Sequence, residues 1–385
     1  MNYFNTSLPV TPKFVVMTGD LPPHNVWNQT HQSNLDYSMY ISNVLLDTFD
    51  SLNIPVYPAI GYIFSFSNKV FFNQKIRNHE GAPVNDFPVD KTSWLYGPLS
   101  QRYSRWLSTE AQNTFAINGF YSQLVEPGKI IFLFISRISF SKIKKKSIGL
   151  RVISLNDNFC NNLNFWIYLN ETDPANMLQW TINTLQLAED NQEKVFILAH
   201  IPTGINDCVA SWGETFYKIV NRYENTISAI FTGHTHQDAF EVFYENGVNS
   251  RATAISYISP SLTTYTYKNP SYRIYTVDQK TNFIVDTDTY QVNMTQANLV
   301  GTPSFRLEYN AKKTYNMTNL FPQDWANLIT RFENDDPLFQ TYYHYRYTSV
   351  PSGTCTGKCK TENICYVKSG SYAFYKECMQ SNLNK

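Results

Sequence analysis

Glycine is scarce in this chain of 385 residues, which contains 15 glycines beside 27 tyrosines and 26 phenylalanines. Collagen-like sequences need glycine at every third position, and disordered sequences are poor in aromatic residues. The composition therefore excludes both classes. A chain of this length with 43% hydrophobic residues is able to bury one large core or two smaller ones.

An excess of charge of either sign is also missing, because 31 Lys and Arg residues balance 31 Asp and Glu residues. Proteins that bind nucleic acids usually carry a basic surface, so we expect no nucleic-acid partner. No run of residues is long and apolar enough to cross a membrane. Residues 1–13 lack the basic start and apolar run of a signal peptide, so we expect none in this sequence.

Cysteine is sparse but even in number, with six residues, four of which crowd the C-terminal end. This cluster predicts a disulfide-linked tail of a protein on the secretory route. A zinc knuckle is the alternative, but the cluster lacks paired short spacings and contains no histidine. The pairing that we assign, which the spacing alone does not prove, is Cys355 with Cys359, Cys365 with Cys378, and Cys160 with Cys208.

Short apolar strands alternate with amphipathic helical stretches over roughly the first 240 residues. Examples are the strand "KFVVMTGD", the helix "DYSMYISNVLLDTF" and the strand "IPVYPAIG". This alternation is typical of a layered α/β fold. The later pattern is mostly strands and then helices, so we predict a larger α/β domain over residues 1–298 and a helical, Cys-rich subdomain over residues 299–385.

Metal-binding side chains stand directly after several apolar strands. In open α/β sheets the ligand site lies beyond the carboxyl ends of the strands. In an extended "GHTH" segment His234 and His236 would face the same side, although two ordinary surface histidines explain this motif equally well. The strand ends also supply Asp20 and His200. A carboxylate such as Asp20 is able to bridge two cations, which an imidazole is not.

The motif "NHE" adds Asn78, whose amide oxygen is an acceptable hard ligand, and His79, which is suited to protonate a leaving oxygen. Together these residues predict a two-metal site for displacement at phosphorus. The mixed nitrogen and oxygen donors favour zinc, with manganese or iron next. The predicted metal ligands are Asp20, Asn78, His200, His234 and His236.

The order of these motifs resembles that of the calcineurin-like metallophosphoesterases, and the closer resemblance is to the acid sphingomyelinase family. The segments "TGDLPPHNVW", "NHEGAPVNDFP", "GHTHQDAFEVFYE" and "TQANL" carry the resemblance, which covers nearly the whole chain outside two segments. It implies a sandwich of two mixed sheets flanked by helices, with a helical, disulfide-linked C-terminal subdomain. It also implies hydrolysis of sphingomyelin to ceramide and phosphocholine by a lysosomal or secreted enzyme, which we expect to be a monomer.

The resemblance further implies a role for each site residue. Asp20 would bridge two zinc ions, with Asn78, His200 and His234 on one ion and His236 on the other. His79 would be the general acid, with His24 beside it to steady the phosphate or share that role. Tyr265 would line the headgroup pocket, whereas the pattern alone makes it an ordinary aromatic residue at a strand end.

The chain departs from the family in three places. No Asp-x-His motif stands between Met1 and Asp20 in this sequence, and we expect neither the family's lipid-lifting saposin-like domain nor its signal peptide within it. Two acid-free segments, 62–77 and 129–148, interrupt family motifs, and we interpret both as translated introns, with genuine loops as the alternative. We therefore expect this chain to bind metal poorly and to be impaired. The same residues are also compatible with a nucleotide or other phosphodiester phosphodiesterase, or with an inactive binding protein.

Overall fold

The computed structural model describes residues 11–24, 29–61, 93–126, 130–131, 145–146, 148–164, 167, 170, 172–248 and 250–383. The predicted insertion 62–77 and most of 129–148 lie outside the described residues, as do Asn78 and His79. No helix in the described parts of the chain is both long enough and apolar enough to span a membrane.

The chain enters the fold through a short parallel ladder of β1 (Val15–Met17) and β2 (Val56–Pro58). Helix α1 (His31–Phe49) connects them and begins with a capping box. The Ser33 amide donates to the Thr30 hydroxyl, and the Thr30 amide donates to the Ser33 hydroxyl. Helices α2 (Ser93–Arg102) and α3 (Thr109–Asn118) follow.

The largest sheet is mixed and has six strands, and two further strands form a separate small ladder. The strands of both, in chain order, are β3 (Tyr121–Glu126), β4 (Ile130–Ile131), β5 (Lys145–Lys146), β6 (Leu150–Ser154), β7 (Lys194–Leu198), β8 (Ile227–Thr232), β9 (Ala239–Tyr244) and β10 (Ala252–Ile258). In the large sheet β6, β7, β8 and β10 are parallel, and the edge strands β3 and β9 pair antiparallel to them. The small ladder consists of β4 and β5.

Both faces of the large sheet are covered, because β8, β9 and β10 are buried at every position. Such strands read as continuous apolar runs instead of an alternating pattern. Helices α4 (Met177–Asp190) and α5 (Ala210–Arg222) contribute Leu185 and Trp212 to the core on one face.

The C-terminal part packs on the opposite face. There the Trp325 ring lies 4.5 Å from the Phe240 ring, centroid to centroid. This part also contains a three-stranded antiparallel sheet. In chain order, the strands and helices of the C-terminal part are β11 (Ser271–Val277), β12 (Ile284–Val292), α6 (Met294–Val300), β13 (Phe305–Asn310), α7 (Ala311–Tyr315), α8 (Pro322–Asn334), α9 (Asp336–Arg346), α10 (Lys358–Val367) and α11 (Tyr372–Leu383).

The three disulfides join the six cysteines in the pairs assigned from the sequence: Cys160–Cys208, Cys355–Cys359 and Cys365–Cys378. The last pair connects α10 to α11.

The mixed α/β class with flanking helices is confirmed, although the described strands form one mixed sheet and three smaller ladders. The boundary at residue 298 stays a prediction, because Trp325 of the C-terminal helices shares a core with Phe240 of the larger domain.

Candidate metal centre

Three strand ends converge at the carboxyl edge of the sheets, and glycines allow this approach. A Cβ atom on Gly19 would lie 2.2 Å from the Cα atom of Gly61, and one on Gly233 would lie 2.6 Å from Thr18 Oγ1. Side chains at these positions would push the strands apart. Because glycine has no side chain, the strand ends approach closely and Asp20 lies near the loops that follow β7 and β8.

Three of the predicted ligands have a left-handed backbone: Asp20 with φ 57°, His234 with φ 65° and His236 with φ 56°. This conformation is unfavourable for residues other than glycine and concentrates at functional sites. The expectation of an extended "GHTH" segment is therefore wrong. Both histidines nevertheless approach Asp20, because the chain turns after β8 instead of continuing straight.

The first set of side chains, which we call the His200 group, consists of Asp20, His200 and His234. His200 Nε2 lies 3.2 Å from Asp20 Oδ2 and 3.2 Å from His234 Nδ1. His200 Nδ1 lies 2.6 Å from the carbonyl oxygen of Thr18. Since a carbonyl only accepts, Nδ1 carries the proton and the Nε2 lone pair faces the group.

The second set, which we call the His24 group, shares Asp20 and adds His24 and His236. One ligand atom from each side chain lies within 4.8 Å of the others. The His24 ring stacks on Tyr265 at 4.0 Å between centroids, and the His236 ring meets His24 edge-on at 5.0 Å. The structure thus places His24, predicted as a catalytic residue, where it is also able to supply a ligand.

These residues fit a divalent cation. Asp20 Oδ1 and His236 Nδ1 are buried atoms without a hydrogen-bond partner in the described part of the chain. Buried polar atoms normally have a partner, and a cation would satisfy both of these. Imidazole nitrogens and a carboxylate oxygen are suitable donors for zinc, iron or manganese. Asn78 and His79 lie outside the described residues, so their roles stay predictions.

Charges within the two groups act on one another. Burial opposes ionisation of Asp20, but the nearby His200 lowers the pKa of this carboxyl overall. Burial likewise opposes protonation of His200, yet Asp20 raises the pKa of the imidazole. Burial is the main cause that lowers the pKa of His24 and of His236. A lowered pKa favours the neutral imidazole, which is the form that binds metal.

Buried carboxyl groups hold the loop that follows β7. Asp157 accepts hydrogen bonds from the backbone N–H groups of His200 at 3.0 Å and Ile201 at 2.7 Å, and burial raises its pKa to about 6. Glu241 Oε2 accepts from the Gly204 N–H at 3.3 Å, and burial raises the pKa of Glu241 to about 8. Sequence reasoning missed both residues.

Asp207 is a third residue that sequence reasoning missed. Its Oδ2 atom lies 2.9 Å from His234 Nε2. The hydrogen bond from His234 lowers the pKa of the Asp207 carboxyl. No sequence motif predicts this contact, because the partners are 27 residues apart on different loops.

Tyr265, the residue predicted to line a headgroup pocket, is half exposed beside His24.

The chain matches two family models. Residues 1–238 match the calcineurin-like phosphoesterase family, and residues 246–385 match the acid sphingomyelin phosphodiesterase C-terminal region. It is 40% identical to sphingomyelin phosphodiesterase B of Dictyostelium discoideum, covering 96% of this chain and 54% of that protein. It is 39% identical to sphingomyelin phosphodiesterase of Homo sapiens, covering 91% and 51%. The chain therefore spans about half the length of these relatives.

A relative of more similar length is a cyclic GMP-AMP phosphodiesterase of Mus musculus, which is 31% identical over 96% of this chain and 78% of its own length. A dimetal phosphatase of Danio rerio aligns with a TM-score of 0.38 and 12% identity, over 76% of this chain and 82% of that structure. The family matches and the length of the aligned regions show that the chain belongs to the calcineurin-like phosphoesterase family, with sphingomyelin phosphodiesterases among its relatives.

Proposed function

We propose that this chain is a zinc-dependent phosphodiesterase that hydrolyses sphingomyelin to ceramide and phosphocholine. The observation that carries the proposal is the convergence of four histidines on Asp20. The relatives named as sphingomyelin phosphodiesterases support the choice of substrate. A cluster of this composition at the carboxyl ends of strands suits phosphoryl chemistry.

The two groups would each hold one ion. The His200 group offers His200 Nε2 and His234 Nδ1, and the His24 group offers His24 and His236, with the Asp20 carboxylate between them. When bound, a zinc pair supplies an activated water and neutralises charge on the phosphate. Zinc fits this mixed set of nitrogen and oxygen donors better than magnesium or calcium, which prefer oxygen ligands alone.

The chain's own side chains would orient the substrate. Tyr265 is 49% exposed at the rim of the site while one face of its ring is stacked on His24. A quaternary ammonium group binds favourably against aromatic faces. Tyr265 would therefore contact the choline headgroup, and His24 would face the phosphate. His79 would hold the proton for the ceramide oxygen, as the family resemblance implies.

The compartment belongs to the same proposal. Three disulfides are typical of proteins in oxidising compartments, so a lysosomal or extracellular location is consistent with them. The substrate would then be a membrane lipid outside the cytosol. We also propose that the protein is a monomer.

A second candidate function is cleavage of a nucleotide phosphodiester. The observation in its favour is the cyclic GMP-AMP phosphodiesterase, of whose length the alignment covers 78%. The metal-binding residues would serve either substrate, because both contain a phosphodiester. The headgroup contacts, and Tyr265 in particular, would separate the two.

The experiment uses the purified chain, stripped with a chelator and reloaded with zinc. Phosphocholine release from sphingomyelin in detergent micelles is measured beside hydrolysis of bis(p-nitrophenyl) phosphate and of cyclic GMP-AMP. The proposal expects zinc-dependent phosphocholine release, at the low rate of the impaired chain that the sequence predicts, and the stripped protein is the control. Hydrolysis of cyclic GMP-AMP without phosphocholine release would favour the second candidate. Failure with all three substrates would favour the inactive binding protein.

A further inference from the structure

We infer that Asp207 is a positioning residue that orients His234 for metal binding. This inference deepens the proposed function and rests on it. Asp207 itself would touch neither the metal nor the substrate. It would act through the His234 ring, by holding one nitrogen so that the other faces Asp20 and His200.

The geometry of the His234 ring carries the inference. Asp207 Oδ2 lies 2.9 Å from His234 Nε2, and His200 Nε2 lies 3.2 Å from His234 Nδ1. A carboxylate accepts hydrogen bonds, so it favours the form of His234 with the proton on Nε2. The lone pair is then on Nδ1, which points into the His200 group. Carboxylate partners of metal-binding histidines set ring orientation and tautomer in this way.

Asp207 is itself fixed on both sides. The next residue, Cys208, is joined by a disulfide to Cys160. The carbonyl oxygen of Asp207 accepts from the Asn162 N–H at 2.9 Å, and the Val209 N–H donates to the Cys160 carbonyl oxygen at 2.6 Å. These bonds place the Asp207 backbone before any ion arrives. A carboxylate on a fixed backbone loses less freedom when it holds a histidine.

The contact between Asp207 and His234 is too exposed to act only by stabilising the folded protein. The Asp207 side chain is 49% exposed, whereas that of His234 is 14% exposed. Ion pairs at such exposure contribute little to folding. Asp50 offers a matched control, because its side chain is 35% exposed and its Oδ2 pairs with Arg105 at 2.8 Å. Asp50 belongs to neither metal group.

The test compares zinc binding to the wild type, Asp207→Ala, Asp207→Asn and Asp50→Asn by calorimetry. We expect Asp207→Ala to weaken binding of one ion by roughly 10- to 100-fold. Asp207→Asn keeps an amide oxygen that accepts a hydrogen bond, so its loss should be smaller. Asp50→Asn should bind as the wild type does, and equal melting temperatures would exclude an effect through unfolding. A chain that binds zinc with the same affinity in Asp207→Ala and the wild type would overturn the inference.

A second readout needs no metal and separates this inference from the proposed function. Long-range ¹H–¹⁵N spectra of the metal-free protein report which nitrogen of His234 carries the proton. We expect Nε2–H in the wild type and a mixture of the two forms in Asp207→Ala. If the chain binds no zinc at all, the proposed function fails, and the His234 spectrum still decides the inference. An identical His234 spectrum in both proteins would then refute it.

Discussion

The His200 group and the His24 group share Asp20 but differ in what holds their histidines. In the His200 group, the nitrogen that faces away from the cluster has a hydrogen-bond partner in both rings. His200 Nδ1 donates to the Thr18 carbonyl oxygen, and His234 Nε2 meets Asp207. In the His24 group a hydrogen bond to the Tyr265 backbone holds His236, whereas the described contacts of His24 are ring contacts with Tyr265 and His236.

This difference indicates that the His200 group is organised before metal binds. Hydrogen bonds hold both histidine rings of the His200 group, whereas in the His24 group a described hydrogen bond holds His236 but not His24. Ligands that are already oriented lose less entropy on binding. We therefore expect the His200 group to bind its ion more tightly than the His24 group does.

The largest effect should come from the residue that the two groups share. Asp20→Ala removes the only carboxylate from both described groups, so we expect both ions to be lost. Phosphodiester hydrolysis should fall by about 10⁴-fold or more, as when a central catalytic group is deleted. Metal content by plasma mass spectrometry and initial rates check this. Retention of two ions would contradict the shared role of Asp20.

The support of the His200 group by Asp157 should appear as stability. Asp157→Ala leaves two buried N–H groups, those of His200 and Ile201, without their acceptor. Each such group costs about 2 kcal/mol, so we expect about 4 kcal/mol of lost unfolding free energy. Urea unfolding measures it. Asp157→Asn retains one acceptor oxygen and should lose less, and an unchanged midpoint in Asp157→Ala would show that the loop is held elsewhere.

Glu241 should give the same loop a pH dependence. Burial raises the pKa of Glu241 from 4.5 to about 8, so the folded protein holds a proton that the unfolded chain releases. Stability should therefore fall as pH rises from about 4.5 to 8, by about 3 kcal/mol at pH 7. Glu241→Gln should flatten this decline in thermal unfolding measured from pH 4.5 to 7.

A part of the decline should remain in Glu241→Gln, because burial also raises the pKa of Glu308 to about 8. Glu308→Gln should remove this remaining part, so the two substitutions together should flatten the decline more than either does alone. An identical pH slope in Glu241→Gln and the wild type would show that Glu241 is ionised in the folded protein.

The smallest effect should come from the aromatic contact of the His24 group. Tyr265→Ala removes the ring that stacks on His24 and would contact choline. Such contacts contribute about 1 kcal/mol, so we expect kcat/KM for sphingomyelin to fall by roughly fivefold. Tyr265→Phe keeps the ring and should stay close to the wild type. Equal losses in the two variants would assign the effect to the hydroxyl instead.

Local patterns predicted much of the fold and several of the residues that the structure brings together at the candidate site. Alternation of apolar strands with helices indicated the mixed α/β class, because burial requires these periods whatever the tertiary arrangement. Residues at strand ends, such as Asp20 and His200, could be found because parallel strands end at one edge of a sheet. The C-terminal pairing of Cys355 with Cys359 involves neighbours in sequence.

The supporting residues could not be predicted from such patterns. Asp157 binds backbone groups 43 and 44 residues away, and Asp207 binds a ring 27 residues away. Contacts over these separations depend on how loops turn after strands, which local periodicity does not encode. The same limit explains the error at "GHTH", where the left-handed backbone of His234 and His236 replaces the expected extended one.

Calorimetric titration of zinc into the wild type, His200→Ala and His236→Ala tests the comparison most directly. The account predicts two unequal sites in the wild type. His236→Ala should keep the tighter site, and His200→Ala should lose it. Loss of the tighter site in His236→Ala, with its retention in His200→Ala, would contradict the claim that the His200 group is the organised half of the centre.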